Sequence, residues 1–572
     1  MQSFDYTTLL AIKVNLVEQW LPARIEQVYQ QDRFTIYLSL RTLDKRGWLS
    51  ICWHPEAARI CISEPPPKIP DTFTFSDQLR HQVKGLALTG IEAIADWERV
   101  LDLQFAKRPG DQVLWHLYVE IMGKYSNVIL TDAKQQIVAP AKQIGNNQSS
   151  VRSVQTGQPY EIPPPLTGTL PKLEEPQASW QERVSLVPGK LQQQLLHSYR
   201  GVSPKIATEI ITSANLSPQQ ITTTLEEEDW QNLYKSWLTW LEMQSTEKFT
   251  LGKTDKGYTV LGLVPHVPVK DVQQLIDNYY RNNVNQRLFQ QLHHQLKQKV
   301  ANVLKKSDRK ANTFRDRLKE STEAEFYRQQ ADLLMAHLHL IKPGMLSIEL
   351  NDFETNQPLK IKLNPEKNPV QNAQAYYKIH QKLKRAQNAV IPLLTEVETE
   401  ISYLQQVKTA LNQLANYHNS QDLETLSEIK DELIEQEYLK SDRPISKLKD
   451  NSQPHSFTTP SGHQLLVGRN NRQNDILTFR TANDYDLWFH TQEIPGGHVL
   501  LRLEPGAVPQ QEDLDFTANI AAYYSQARQS EVVPVIYTKP KYVYKPKGAK
   551  PGMAIYKHET VIWGKPQLIN HD

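Results

Sequence analysis

At 572 residues, 22% of them charged, the chain is long enough for several domains with real cores, and a net charge of only +2 makes any basic surface local. Two cysteines, Cys52 and Cys61, are too few for a disulfide framework or a cysteine-built zinc site. No apolar run approaches the ~20 residues of a membrane span, and the N-terminus lacks the basic-then-apolar order of a signal peptide, so a cytoplasmic protein with no membrane partner is expected.

Asp5 is suited to cap a first helix, in which Leu9, Ile12, Leu16 and Trp20 recur at helical spacing. From residue 22 to 62 the period drops toward two, predicting an antiparallel sheet, and a connector stiffened by Pro65, Pro66 and Pro67 should close that unit. Residues 75–81 start a second helix. Residues 96–105 then alternate as a strand with Glu98 and Arg99 at its start, and residues 115–130 read as a strand or short helix, a turn at Gly123 and another strand. By themselves Glu98 and Arg99 fit an ordinary solvated pair.

Residues 150–190 are linker-like, with Pro163, Pro164, Pro165, Pro171 and Pro176. Residues 191–211 predict helix, turn and helix, with Gly201 in the turn, Ser203 as cap and Pro204 in the first turn of the second helix. Such a hairpin either merely packs or aims backbone N–H groups at a phosphate. A further helical stretch and a short β section at 249–264 follow.

From Tyr279 the pattern is long and helical. Phe289, Leu292, Leu296, Val300 and Val303 step by three or four, Phe314 and Leu318 resume the seam, and a return arm runs from Tyr376 to Leu404. Two such arms predict an antiparallel coiled coil, tipped by a small β-hairpin at 346–350 and 359–363, with Pro392 expected to kink the second arm. The first arm carries Lys297, Lys299, Lys305, Lys306, Arg309, Lys310, Arg315, Arg317 and Lys319 against Asp308 and Asp316, which reads as a solvated face or as a basic arm with long reach.

Near the C-terminus, Leu465 and Val467 predict a strand entering a polar turn, Gly468-Arg-Asn-Asn-Arg-Gln-Asn-Asp475, that is too donor-rich to be core. Arg469 offers a fork for phosphate or carboxylate, while Asn470, Asn471, Gln473 and Asn474 can present amide edges. Trp488, His490 and a Pro495-Gly496-Gly497-His498 turn follow, the glycines letting main chain approach a ligand closely. The bland alternative is an Asn- and Gly-rich pair of surface hairpins. Residues 515–525 read as a helix rich in small side chains. Beyond it, Lys539, Lys541, Lys545, Lys547 and Lys550 interleave with Tyr542 and Tyr544, a footprint of RNA contact that a charged edge strand would partly share.

Val467-Gly-Arg-Asn-Asn-Arg-Gln-Asn-Asp475, Trp488-Phe-His490, Pro495-Gly-Gly-His498 and Gly548-Ala-Lys-Pro-Gly552 together closely resemble the RNA-binding C-terminal domain of the NFACT family, bacterial members of which are ribosome quality-control factors, also called fibronectin-binding protein A homologues. The family's N-terminal domain carries an Asp-Arg pair followed by a Glu-[Ile/Leu]-Met-Gly motif and Ser-Asn. Here the matching residues are Glu98, Arg99, then Glu120, Ile121, Met122 and Gly123, then Ser126 and Asn127, which the resemblance implicates in holding tRNA. Glu98 in place of Asp lengthens that reach by one methylene. Residues 372–386 are similar to the family's entry into the return arm.

The resemblance implies an α+β multidomain chain: an N-terminal mixed α/β domain (1–175) resembling the glycosylase N-domain, a helix-hairpin-helix domain (176–278), a long antiparallel coiled coil with a β-hairpin tip (279–440) and a C-terminal α/β RNA-binding domain (441–572). Glycosylase chemistry itself is unsupported, because Gln2 follows Met1 and no cysteine cluster exists. The resemblance also implies a factor that binds large ribosomal subunits obstructed by peptidyl-tRNA, recruits tRNA, chiefly that for alanine, and promotes an untemplated alanine tail. In that picture the coiled coil reaches the stalk-base protein, Arg469, Asn470, Asn471, Gln473, Asn474, Asp475, Trp488, His490, His498, Lys545 and Lys550 contact RNA, and a small RNA-binding protein of the RqcP type assists. No nucleophile-base-orienter set, Walker loop or third ligand beside His490 and His498 is legible, so no enzyme activity, metal or cofactor is expected, and peptide bonds would be made by the ribosome. The rival readings are a matrix-binding adhesin and a general RNA- or subunit-binding factor without tailing.

Overall fold

The apolar stripe at the N-terminus forms helix α1 (Tyr6–Trp20), whose first turn is closed by Asp5 accepting from the Thr8 N–H at 2.9 Å, with Leu9, Ile12, Leu16 and Trp20 buried. The computed structural model describes residues 1–67, 70–145, 152–165, 168–321, 323–440 and 452–569, in an α+β arrangement of two compact units, residues 1–284 and 285–572. The expected domain boundary at 440/441 and parts of the proline-rich connectors lie outside the described residues.

In the first unit, strands β1 (Ala23–Asp32), β2 (Thr35–Arg41), β3 (Arg46–Cys52) and β4 (Arg59–Ser63) are followed by helix α2 (Thr74–Val83) and strands β5 (Ala87–Ala93), β6 (Val100–Ala106), β7 (Trp115–Glu120), β8 (Asn127–Asp132) and β9 (Ile137–Pro140). All nine join one sheet, in the order β4-β3-β2-β1-β5-β6-β7-β8-β9, with every pair antiparallel. The prolines therefore do not close a separate unit, because β1 pairs with β5 across them. Nor is the second proline-rich passage a free linker. Tyr160 stacks on Tyr118 at 3.8 Å, and Arg152 donates to Glu120 at 2.7 Å, folding that segment back onto the sheet.

Four helices come next, α3 (Gln177–Ser185), α4 (Leu191–Ser198), α5 (Pro204–Ser213) and α6 (Glu227–Ser245), gathered around Trp180, Trp237 and Trp240, which are fully buried. A small sheet of β10 (Gly252–Thr254), β11 (Gly257–Thr259) and β12 (Val267–Pro268) precedes the long helix α7 (Val272–Ser321).

In the second unit α7 runs antiparallel to α9 (Pro369–Gln413), with Phe289, Leu296, Val300 and Leu304 against Tyr403, Leu404, Val407 and Leu411, and farther out Ala311 and Phe314 against Val390 and Val397. Helix α8 (Ala324–Ala336) and the hairpin β13 (Ser347–Asn351) and β14 (Pro358–Lys362) lie between the two arms in sequence. Pro392 is accommodated within α9, which continues through it. Helix α10 (Ser420–Glu435), absent from the sequence-based expectation, then lays Leu426, Ile429 and Leu433 on the base of the two arms.

The chain ends in a six-stranded antiparallel sheet built from β15 (His455–Thr458), β16 (Gln464–Val467), β17 (Leu487–Thr491), β18 (Val499–Leu501), β19 (Val533–Thr538) and β22 (Thr560–Gly564), in the order β15-β16-β18-β17-β19-β22. Helix α11 (Asn471–Ile476) follows β16, helix α12 (Gln511–Tyr523) covers one face through Ala518, Ala521 and Ala522, and a two-strand flap, β20 (Val543–Tyr544) with β21 (Ile555–Tyr556), covers Trp488 and Ile536 on the other.

Candidate nucleic-acid interface

The first group of expected site residues converges at one end of β6 and β7. Register pairs Val100 with Glu120, and the Ile121 N–H donates to the Arg99 carbonyl at 2.9 Å. Glu98, Glu120 and Ile121 are buried, while Arg99 and Met122 are half-buried, so the solvated pair is not what forms. Glu120 accepts from Arg152 at 2.7 Å and from the Tyr160 hydroxyl at 3.0 Å. Burial holds its carboxyl above the usual range despite those donors. The Arg99 guanidinium donates to the Phe4 carbonyl at 3.3 Å, and desolvation lowers its pKa against the pull of the nearby Asp5 and Glu98 carboxylates.

Asp5 ties this corner together. One carboxylate oxygen caps α1, and the other accepts from Ser203, the residue that caps α5 through the Ile206 N–H at 3.1 Å. The N-terminus of α5 is thus capped by Ser203 with Asp5 behind it. Gly201 has a φ of +73°, and a Cβ placed on it would lie 2.4 Å from the Trp97 ring. We expect Gly201→Ala to lower stability by ~2 kcal/mol, read as a drop in thermal midpoint of the full chain. Just beyond Met122 lies a feature the sequence reading passed over: Lys124 and Tyr125 are exposed, with the ammonium 4.9 Å over the ring. A lysine beside an aromatic in a turn was the available signal.

The second group departs from expectation. The run thought too polar to be core is interior: Arg469, Asn470, Asn471, Gln473 and Asn474 are all buried. It is also a helix rather than a turn, since Asn470 caps α11 by accepting from the Gln473 N–H at 2.9 Å. The physical reason is α10, whose acids supply the acceptors. Arg469 pairs with Asp422, the Asn470 amide donates to Glu428 at 2.7 Å, the Asn471 amide to Glu432 at 2.9 Å, and Arg472 to Glu435 at 2.7 Å. Gln473 accepts from the Arg469 N–H at 3.0 Å and donates to the Ser452 carbonyl at 3.0 Å. Most of the buried donors are matched to protein acceptors, the Arg469 Nε–H being left without one.

Burial pushes the Glu432 carboxyl up to about 7, although Asn471 and the Tyr403 hydroxyl both donate to it. Asp422 lies lower than usual. Its burial raises the pKa, and this is outweighed by the His418 and Asn419 N–H groups and by Arg469.

The loops around this helix are drawn into the same network. Asn474 accepts from the His498 N–H at 3.0 Å, and a Cβ on Gly468 would lie 2.1 Å from the Asn474 side-chain oxygen. The Gly496 N–H donates to Gln406 of α9 at 3.1 Å, and a Cβ on Gly497 would lie 2.9 Å from the Gly468 carbonyl oxygen, so the close approach these glycines permit is to protein. Asp475 pairs with Lys545 and accepts from the Gly552 N–H at 3.1 Å. Lys550 donates to Gln436 at 3.2 Å and sits 5.0 Å from the centroids of both Tyr403 and Tyr438. Trp488 and His498 are buried, the indole donating to Thr478 at 2.9 Å, and His498 Nδ1 lies 2.7 Å from that same hydroxyl. His490 stacks on Trp488 at 5.7 Å. Burial depresses His490 to about 4 and His498 to about 3, keeping both rings neutral. The expectation that the motif forms the surface is corrected for Arg469, Asn470, Asn471, Gln473, Asn474, Trp488 and His498, which are buried; Asp475, His490 and Lys550 are half-buried and Lys545 is exposed. Exposed besides Lys545 are Lys539, Lys541, Tyr544, Lys547, Lys557, Trp563 and Lys565.

Among the described residues, no group of His, Cys, Asp or Glu is placed to hold a metal, and no helix is long and apolar enough to cross a membrane.

The chain matches the family models for the NFACT N-terminal and middle domains over residues 5–452 and for the NFACT protein RNA binding domain over residues 453–557. It is 31% identical to the Rqc2 homolog RqcH of Bacillus subtilis, over 99% of this chain and 98% of that protein, and 31% identical to the Rqc2 homolog RqcH of Streptococcus suis, over 98% and 97%. A solved structure of the C-terminal part of the fibronectin/fibrinogen-binding protein from Streptococcus suis aligns with a TM-score of 0.38 at 32% identity, covering 49% of this chain and 95% of that one.

Proposed function

The chain belongs to the NFACT family, and from that premise we propose that it is an RNA-binding ribosome quality-control factor acting on large subunits that still hold peptidyl-tRNA. The observation that carries this reading is full-length similarity to RqcH proteins together with a C-terminal RNA binding domain. Residues 98–99 and 120–122 line the tRNA-binding corner, with the exposed Lys124 and Tyr125 supplying a cation and a ring at its rim. The subdomains act as glycosylase-like N-domain, helix-hairpin-helix, coiled coil and RNA-binding domain, with the coiled coil reaching the stalk-base protein. The factor recruits alanine tRNA, promotes untemplated alanine tailing and works with an RqcP-type partner. Peptide bonds form in the ribosome, to which this chain contributes positioning.

In the C-terminal domain the buried motif holds RNA-binding surfaces in place, and direct contact falls to the exposed lysines, Tyr544 and Trp563. The test is to purify the tagged full chain from cells and sequence the bound RNA, comparing wild type with Glu98→Ala/Arg99→Ala and with the surface variant Lys124→Ala/Tyr125→Ala. Large-subunit ribosomal RNA plus one tRNA class, the latter depleted about tenfold in both variants, is the expected result. Ribosomal RNA without selected tRNA would reduce the protein to a subunit-binding factor. Recovery of extracellular-matrix protein in place of RNA would favour the adhesin.

A further inference from the structure

Between the base of the coiled coil and the turn after α12 lies a polar cleft of about 380 Å³. Its floor is Ala301 and Leu304; its walls carry Lys305, Arg309 and Asn312 from α7, Gln405, Lys408 and Asn412 from α9, and Gln526 from the C-terminal domain, with Asp308 the one acid. Among the described residues no ion pair engages Lys305, Arg309 or Lys408, whereas Arg315, farther along α7, is held by Glu398 at 2.7 Å. The cleft is thus a concave part of the basic arm, where Lys305 and Arg309 meet Lys408 of α9 against the single acid Asp308. Nothing in the sequence pattern of α7 alone distinguishes it, because half of its lining arrives from α9 and from the turn at Gln526.

We propose that this cleft binds the sugar–phosphate backbone of a single RNA segment, a contact separate from the tRNA-binding corner and from the exposed lysines of the C-terminal sheet. The proposal rests on the reading that this chain binds RNA. Lys305 and Arg309 stand one helical turn apart, an advance of ~6 Å, comparable to the step between successive phosphates on one strand. Lys408 faces them from the other arm, and four side-chain amides can serve phosphate or ribose oxygens between the cations. A protein segment would need an apolar or aromatic anchor pocket. The cleft has only Ala301 and Leu304, and Leu304 is already buried in the coiled-coil core. An enclosed small-molecule site would likewise be largely apolar. Because α9 also accepts the Gly496 N–H through Gln406, next to Gln405 in the wall, RNA seated here would brace against both the arms and the C-terminal domain.

The test is the salt dependence of full-chain binding to purified large subunits for wild type, Lys305→Gln/Arg309→Gln/Lys408→Gln, the single Lys408→Gln, and a control, Lys253→Gln/Lys256→Gln/Lys270→Gln, which removes equal charge from the other unit. Ultraviolet crosslinking of the same complexes locates nucleotide-bearing peptides. We expect the log–log salt slope to fall by about two in the triple variant and by a little under one in the single variant. The control should keep the wild-type slope, and crosslinks should map to peptides spanning 301–312 or 405–412. An unchanged slope in the triple variant while wild type binds normally overturns the cleft and leaves the general RNA-binding reading intact. A crosslink from those peptides to ribosomal protein instead of RNA overturns it too. Absence of RNA binding by wild type would remove both.

Discussion

Arg469→Ala is expected to lower the unfolding free energy of the second unit by about 3 kcal/mol and to increase hydrogen exchange at α10, α11 and the segment 545–552. Arg469 and Asp422 are both almost wholly buried, with side chains 7% exposed, so truncating the guanidinium leaves a carboxylate in the interior with the His418 and Asn419 N–H groups and the His418 ring at 3.4 Å as its remaining partners. The loss spreads if the backbone at 469 shifts, because its N–H, kept in the variant, positions Gln473, which holds Ser452, whose N–H in turn donates to Glu428 at 2.9 Å. Denaturant unfolding monitored by tryptophan fluorescence measures the first effect, and exchange mass spectrometry the second. Arg469→Lys should recover only part of the loss, since an ammonium cannot reproduce the planar fork. If Arg469→Ala kept full stability while losing RNA, the side chain would have to be a ligand contact after all.

Acid should unfold the same unit early. His498 is 2% exposed, and its pKa of about 3 lies below the ~6.5 of an exposed histidine, so between those values the unfolded chain binds the additional proton. The stability from burying the neutral ring is complete above pH 6.5 and is lost as pH falls, reaching about 3 kcal/mol at pH 4 at ~1.4 kcal/mol per pKa unit. Glu432, pushed up to about 7, has the opposite sign: the folded state binds its proton more tightly between pH 4.5 and 7, so that contribution weakens as pH rises. The His498 contribution is therefore read as the difference between wild type and His498→Asn in thermal melts from pH 7 to pH 4. Curves that remain parallel would show that His498 titrates normally.

The apolar spacing of α1, the alternation through 34–53 and the two helical arms were legible because each is decided by local periodicity. The single sheet spanning the first proline run was not, because pairing of Ala23 with Leu88 depends on contacts distant in sequence. The motif at 468–475 could be located but its side could not. Donor-rich sequence implies a surface unless acceptors arrive from elsewhere, and these come from Asp422, Glu428, Glu432 and Glu435, on a helix some forty residues upstream. That helix had its own signature in Leu426, Ile429 and Leu433 behind the Asn419 cap, and reading its acids as partners required the fold. At the other corner, adjacency of Glu98–Arg99 to Glu120–Met122 followed from strand pairing, whereas the tie from Asp5 to Ser203 joins residues 198 apart in sequence.

The Ser420–Glu435 helix lies before the point, 452/453, at which similarity passes from the middle domain to the RNA binding domain, yet the residues it satisfies lie after it. The packing unit is consequently larger than the matched domain. A chimera taking only residues 453–557 from a relative must meet four acids chosen for another partner, whereas one that carries 420–435 along transfers lock and key together. A chimera junction placed upstream of this helix, in the loop that ends the second arm, is thus expected to keep the C-terminal unit stable.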